Sequence, residues 1–379
     1  MASAALSAPA ARMAATLSNE MLLGTARQLP HVRFRKTPSP ILAHFESHMS
    51  VSLQGVAAVP VRALAWLGRQ GTRAIAALAF VGIAAPPLGE LLRPFVTEAV
   101  FLLLCISFMR VDLAALRDHL RRPGIILAAT AWTTLGVPLI AGLGSVATGL
   151  DARAPDLHLA LMLQAVASPM MAAPALAAVM GLDATLVLVT LVTSTALVPF
   201  SAPLFAYAFF GPALTLSPLA LGLKLVAILA GSMLVAFGIR WTAGAAAIAR
   251  HKGPIDGFNI LILFVFVSAV MGTVVGSFWS DPVGVIELAI FAFAVFLALL
   301  GVTMLIFRKL GHQRALALGL MVSQRNMGLM LAATDGVLPA TTWLFFALSQ
   351  FPIYLSPQLL KPIVARFSAQ RAASAVAEP

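Results

Sequence analysis

The sequence predicts an all-α polytopic membrane protein with ten transmembrane helices in two sets of five, the second inverted relative to the first. Three observations predict it. Of 379 residues, 60% are hydrophobic and only 10% charged, with mean hydropathy +0.95; soluble domains carry about 25% charged residues. Basic residues recur on alternate connections between the apolar runs. Polar or proline-bearing interruptions fall at matching places in the fourth and ninth runs.

Ten apolar runs come near the roughly 20 residues that cross a bilayer. They cover 74–92, 95–110, 124–147, 157–180, 184–210, 217–239, 254–277, 283–307, 315–333 and 338–364. The first repeat is then 73–210, the second 217–364, within a membrane domain of 73–365, and 366–379 form a cytoplasmic tail. One side of the chain carries Arg62, Arg69 and Arg73, then Arg117, Arg121 and Arg122, then Arg240, Arg250 and Lys252. Arg308, Lys309, Arg314, Lys361, Arg366 and Arg371 continue that side. The opposite connections hold Arg93 and Arg153 with Glu90, Asp151, Asp156, Asp281 and Asp335. The positive-inside rule puts both termini in the cytoplasm, which an even number of spans requires. A bacterial-type inner membrane is the expected location.

The formal charge of +11 therefore reads as an orientation signal. No basic stripe interleaved with aromatics points to nucleic acid. The single cysteine, Cys105, lies in an apolar run and reads as a small buried hydrophobe. Residues 1–60 are Ala/Ser-rich, with Arg12, Arg27, Arg33, Arg35 and Lys36 against Glu20 and Glu46. They read as a disordered extension, with Met49 as a start site. An organellar transit peptide, and so an organellar envelope, is the other reading.

Arg325 stands eleventh in the nineteen-residue run 315–333, where a charge costs on the order of 2.5–3.5 kcal/mol on insertion scales. It needs a partner, a cavity or a water path. Its neighbours Ser323, Gln324 and Asn326 interrupt the ninth span, as Ser168-Pro169 and Pro174 interrupt the fourth. Paired proline positions, Pro199/Pro203 and Pro352/Pro357, mark the fifth and tenth spans. Interrupted helices at equivalent places in inverted halves are the usual pointer to a midplane binding site, because freed backbone groups must be satisfied there. Three roles stay open for Arg325: glue between broken helices, bidentate partner of an anion, or snorkelling to an interface.

Gln324 and Asn326 are candidates for substrate or backbone bonding. Thr133, Thr134, Thr193, Ser194 and Thr195 line the site or bond within packing seams, and Asn259 and Ser268 join them if the seventh span faces it. Glu98, Lys224 and Glu287 read as interfacial, with a Lys224–carboxylate pair as the other possibility. Met162, Met170, Met171 and Met180 read as gap-filling core. No pair of embedded acids, no His-x-x-x-His on a span and no Gly-x-Ser-x-Gly elbow appears, and the histidines are placed outside the spans. No enzyme, metal or cofactor is expected.

The residues resemble the bile acid:sodium symporter superfamily, in its ten-helix prokaryotic form, over about 73–365. The resemblance is carried by the connector from Phe108 to Arg122-Pro123 and by Pro123 and Pro138 of the third span. Ser168-Pro169, Thr193-Ser194-Thr195, Pro199 and Arg325-Asn326-Met327-Gly328-Leu329 complete it; the last is similar to the family's Gln-Asn-x-Gly-Leu motif. It implies a panel of the first, second, sixth and seventh spans beside a core of the other six. It implies that the fourth and ninth helices cross where they unwind, with substrate in the cleft at the crossover. It also implies sodium ions behind the crossover, but the positions expected to ligate them hold Pro174, Ala175, Val187, Leu191 and Met321, and Thr133 and Arg325 stand where the family has glutamines. Sodium sites are therefore expected to be absent, since apolar side chains give a hard cation no oxygen.

The expected function is a secondary carrier of a small organic anion, working by alternating access without sodium. Substrate contacts are assigned to Arg325, Asn326, Gln324, Ser323, Thr133, Pro169, Pro174, Thr193 and Asn259. The alternatives are a conventional sodium-coupled symporter of bile-acid type and a non-transporting receptor or scaffold. The partners are the anion and the lipid bilayer.

Overall fold

In hydrocarbon a chain must satisfy its backbone polar groups within itself, as helices or a closed barrel. Every regular element among the described residues is helical. The computed structural model describes residues 60–70, 77, 81–82, 84–110, 123–210, 214 and 216–377. The expectations placed on the N-terminal extension (residue 60 apart), on most of the first span and on the 111–122 connector lie outside the described residues.

The helices, in chain order, are α1 (Pro86–Leu92), α2 (Val96–Met109), α3 (Pro123–Ala131), α4 (Val137–Thr148), α5 (Leu150–Arg153) and α6 (Pro155–Val166). They continue with α7 (Ala173–Val179), α8 (Ala184–Phe209), α9 (Pro218–Ala243), α10 (Ala245–Arg250), α11 (Lys252–Met271) and α12 (Val274–Ser280). The last are α13 (Pro282–Ile306), α14 (His312–Ser323), α15 (Met327–Ala333) and α16 (Ala340–Ala377). A π-helical turn, Trp132–Gly136, joins α3 to α4. Their starts are legible in the chain. Asp183, Ser217 and Asp281 cap α8, α9 and α13, each accepting from the backbone N–H three residues on at 3.0, 3.2 and 3.0 Å, which satisfies one orphan donor of the first turn.

Among the described residues, six helical stretches are long and apolar enough to cross a membrane: Pro86–Met109, Pro123–Thr148, Ala184–Phe209, Pro218–Ala243, Lys252–Ser280 and Pro282–Ile306. This is a multi-pass helical membrane protein. The runs expected at 157–180 and 315–333 are each two short helices around an irregular segment. Pro174 does not interrupt the fourth run; it lies in the first turn of α7, where its missing N–H costs nothing. Pro199, Pro203, Pro352 and Pro357 all sit inside continuous helices. The C-terminal residues expected as a tail extend α16 to Ala377.

Contacts join the connection ends that the charge pattern puts on one side. Arg110 pairs with Asp256 at 2.6 Å, and Arg314 with Asp183 at 3.5 Å, both on the basic side. On the other side the Thr342 hydroxyl donates to Asp156 O at 2.7 Å, and Lys224 pairs with Asp335. Lys224 is thus not simply interfacial, as its position in the run suggested; the loop after α15 brings it a carboxylate.

The packing can be followed as two groups of helices, joined to each other where α8 packs on α9 and α15 on α2 and α9. In one, α2 packs on α9 and α11, and α1 on α11. In the other, α6, α8, α13, α14 and α16 pack among themselves with α3, α4 and α7. The first set is held by small residues. A Cβ on Gly257 of α11 would stand 1.9 Å from Leu64 O of the helix over 60–70, and one on Gly272 would stand 2.7 Å from the Cα of Gly89. Backbones approach this closely in hydrocarbon only where side chains are missing. Gly257→Ala is expected to lower stability by about 1–3 kcal/mol through overpacking, measured by thermal unfolding in detergent. Gly276→Ala, with nothing within 4 Å of its Cβ, should leave the midpoint unchanged or slightly raised.

Candidate functional site

The two irregular segments meet. Ser168 precedes a proline, which disfavours helical backbone at that residue and removes one donor; α6 ends one residue earlier, with Ala167 extended at φ −60°, ψ 147°. In the ninth run no proline intervenes, yet Gln324 is extended at φ −94°, ψ 92°. Each break supplies what the other lacks. Met170 N–H donates to Gln324 O and Asn326 N–H to Ser168 O, both at 2.7 Å, an antiparallel bridge of Pro169 with Arg325. Asn326 then restarts the helix: its Oδ1 accepts from Leu329 N–H at 3.2 Å and caps α15.

Arg325 is 1% exposed and is among the largest fully buried side chains described. Its Nη1 donates to Ala167 O at 2.9 Å and to Thr133 O at 3.3 Å, and Nη2 to Thr133 O at 3.4 Å. Both acceptors are explained by local structure. Ala167 O lies at the negative C-terminal end of α6. Thr133 O is released by the π-helical turn, because Val137 N–H bonds Trp132 O instead. The α-helical partner of Thr133 O, the Val137 N–H four residues on, is thereby taken, and Pro138 has no N–H to replace it. Trp132 Nε1 donates to Thr303 Oγ1 at 3.0 Å, tying this turn to α13. The guanidinium thus clasps the third span to the broken fourth from its seat in the ninth. It does not snorkel.

The structure brings Ser323, Gln324, Arg325, Asn326, Pro169 and Thr133 together at this crossover. Gln324 Nε2 donates to Ser356 Oγ of α16 at 2.7 Å, while Ser323 and Thr133 spend their hydroxyls within their own helices, on Leu320 O and Ala129 O. Pro174 follows at the start of α7, half-buried. Thr193 Oγ1 shares a 2.7 Å hydrogen bond with Thr130 across the α3–α8 seam. Asn259 is half-buried on α11, in the other helix set. Cys105 is buried and unpaired with another cysteine.

One polar residue escaped the sequence reading. His158 was placed outside the spans, but it lies in α6, 3% exposed. Its Nε2 lies 2.6 Å from Phe209 O, which accepts, so Nδ1 accepts from Ser145 Oγ, also at 2.6 Å. The histidine ties α4, α6 and α8 at one face. Its position inside the apolar run 157–180 was the available signal.

These features define a helical multi-pass membrane protein whose two interrupted helices are joined at their breaks through a buried arginine. No family model and no curated protein matches the chain. Removing the cap with Asn326→Ala should cost about 1 kcal/mol, read as a lower unfolding midpoint in detergent, whereas Asn326→Asp keeps an acceptor and most of the stability.

Proposed function

We propose that this protein is a secondary carrier of a small organic anion, working by alternating access without coupling to sodium. In this reading it has ten spans in two inverted five-helix repeats, as in the bile acid:sodium symporter superfamily it resembles. The set α1, α2, α9 and α11 is the panel and the other set the core, with substrate in the cleft between them. Both termini face the cytoplasm. The observation that carries the proposal is the guanidinium of Arg325 held on Ala167 O and Thr133 O. A cation is built into the place where the family keeps a neutral glutamine beside a mobile one.

The electrostatics favour this assignment. None of the salt bridges among the described residues involves Arg325, so its charge is balanced by carbonyl dipoles alone. A sodium ion about 4 Å away meets roughly 4 kcal/mol of repulsion at an effective dielectric of 20. An anion at about 8 Å gains roughly 2 kcal/mol on the same scale. With Nη1 and Nη2 on carbonyls and Nε buried without a partner, Arg325 acts on the anion through this potential. Direct contact falls to half-buried neighbours, Asn326 with Met170 and Met171; the thioethers suit an amphipathic body.

A sodium-coupled symporter is the second reading, favoured by one observation. Thr190 Oγ1 and Ser194 Oγ, one turn apart on α8, are buried without a hydrogen-bond partner, as are Gln164 Oε1 and Ser168 Oγ, and buried polar atoms normally have one. Arg325→Gln separates the two readings. Uptake of labelled taurocholate and of smaller aromatic carboxylates is measured in proteoliposomes with and without a sodium gradient. The parent should transport equally in both, and the variant should lose transport by tenfold or more without gaining a sodium response. Stimulation of the parent by the gradient would sink the fixed-cation reading.

A further inference from the structure

We propose that Arg93, Trp343, Lys224 and Asp335 form a gate that closes the carrier on its less basic face, and that the structure is of the state open toward the basic face. The inference rests on the carrier reading of the preceding section.

The contacts across the two helix sets are not evenly distributed. At the less basic face the Arg93 guanidinium, in the turn between α1 and α2, stacks on the Trp343 ring of α16 with 4.2 Å to its centroid. Lys224 in the second turn of α9 pairs with Asp335, in the loop between α15 and α16. Each contact has its cation in the first set; Trp343 is on α16 of the other, and Asp335 is in the loop that leads into α16. Glu90, Thr97 and Gly336 line a cleft of about 260 Å³ with Arg93, Asp335 and Trp343. Below it the apolar packing is tight. A Cβ on Gly328 of α15 would lie 3.1 Å from Phe266 of α11 and 3.3 Å from Val100 of α2. Where α8 meets α9, Gly222 is pressed against Pro203 and Pro199 O, again in the half nearer this face.

The opposite half is arranged differently. Arg110–Asp256 joins α2 to α11 within one set, and Arg314–Asp183 joins α14 to the start of α8 within the other. The half-helices on that side, α7 and α14, pack on each other and on α8, while α14 also packs on α13 and α16, all in their own set. By contrast α15, beyond the break, packs on α2 and α9. Among the described residues, the crossover is therefore packed from both sets on one face, while the half-helices on the other pack on helices of a single set.

The chemistry suits a latch that must open. Side chains of Lys224 and Asp335 are 35% and 59% exposed, and such pairs are weak and screened by salt. In the cation–π contact the arginine is exposed over a buried ring, and a single contact of this kind is also modest. Together they bias a two-state equilibrium without locking it. Asp335 itself is held at φ 51°, in the left-handed region that Asp and Asn tolerate better than other side chains. Asp335 N–H on Ala332 O and Gly336 N–H on Leu331 O build the helix-ending turn.

The test reads accessibility, which needs no substrate. In a Cys105→Ala background, Met171→Cys at the crossover is labelled with a membrane-impermeant maleimide from each face of oriented vesicles. The parent should label slowly from the Arg93 face and faster from the opposite one. Arg93→Gln, Lys224→Gln and Asp335→Asn should each raise the rate on the Arg93 face roughly two- to fivefold, and the Arg93/Lys224 double variant roughly tenfold. Lys224→Arg should keep the parent's rate, as should Arg110→Gln on the far face. The gate is refuted if the double variant labels like the parent, if Arg110→Gln accelerates labelling equally, or if rates rise by the same factor on both faces. Labelling from neither face in any variant would overturn the carrier reading as well. Labelling of the parent from the basic face alone, with no effect of the gate variants, would overturn only the gate.

Discussion

Two backbone hydrogen bonds and one guanidinium hold together the part of this protein on which everything else depends. A helix broken inside hydrocarbon leaves donors and acceptors that water cannot reach, and each orphan costs on the order of 1–3 kcal/mol. Here the breaks answer each other: Met170 and Asn326 donate across the bridge, and Arg325 takes up Ala167 O and Thr133 O. Neither break is tenable alone. The π-helical turn at 132–136 belongs to the same arrangement, because it releases the carbonyl that Arg325 uses.

The buried charge follows from this geometry. A lone arginine in hydrocarbon is costly, but this one stands at the C-terminal end of α6, where carbonyl dipoles converge. The helix breaks need a multidentate donor, and the arginine needs acceptors. A lysine would supply the charge without a fork wide enough for both carbonyls. The stability of the crossover and the positive potential proposed to attract an anion are then consequences of one side chain. The same division into two helix sets that positions the crossover also sets where they touch, and so where a latch can sit.

Some of the site was legible in the chain. Ser168-Pro169 marks a candidate break because proline removes a donor and disfavours helix at the residue before it, although Pro199, Pro203, Pro352 and Pro357 stay within helices. Arg325 announces itself by depth alone. The second break was signalled only by its polar residues: Ser323–Asn326 contains no proline or glycine, and its extended backbone is selected by the partner segment. Pro174 misled for a related reason, since the same residue that ends a helix in its interior begins one at its first turn. His158 was overlooked because a polar residue near the edge of an apolar run looks interfacial until its partners on α4 and α8 are in place.

By itself the sequence determined that this is a helical multi-pass membrane protein, because composition and run length decide what hydrocarbon will accept. It also determined which connections share a face, through the alternation of basic residues, and where several helices begin, through their caps. Only the tertiary structure decided how Arg325 is satisfied, how the second helix is broken, and that Lys224 and Arg93 find Asp335 and Trp343 across the two helix sets. Those outcomes hang on pairs far apart in the chain. Local propensity has no term for them; the orphaned backbone groups and desolvated charges select them only once the helices have packed.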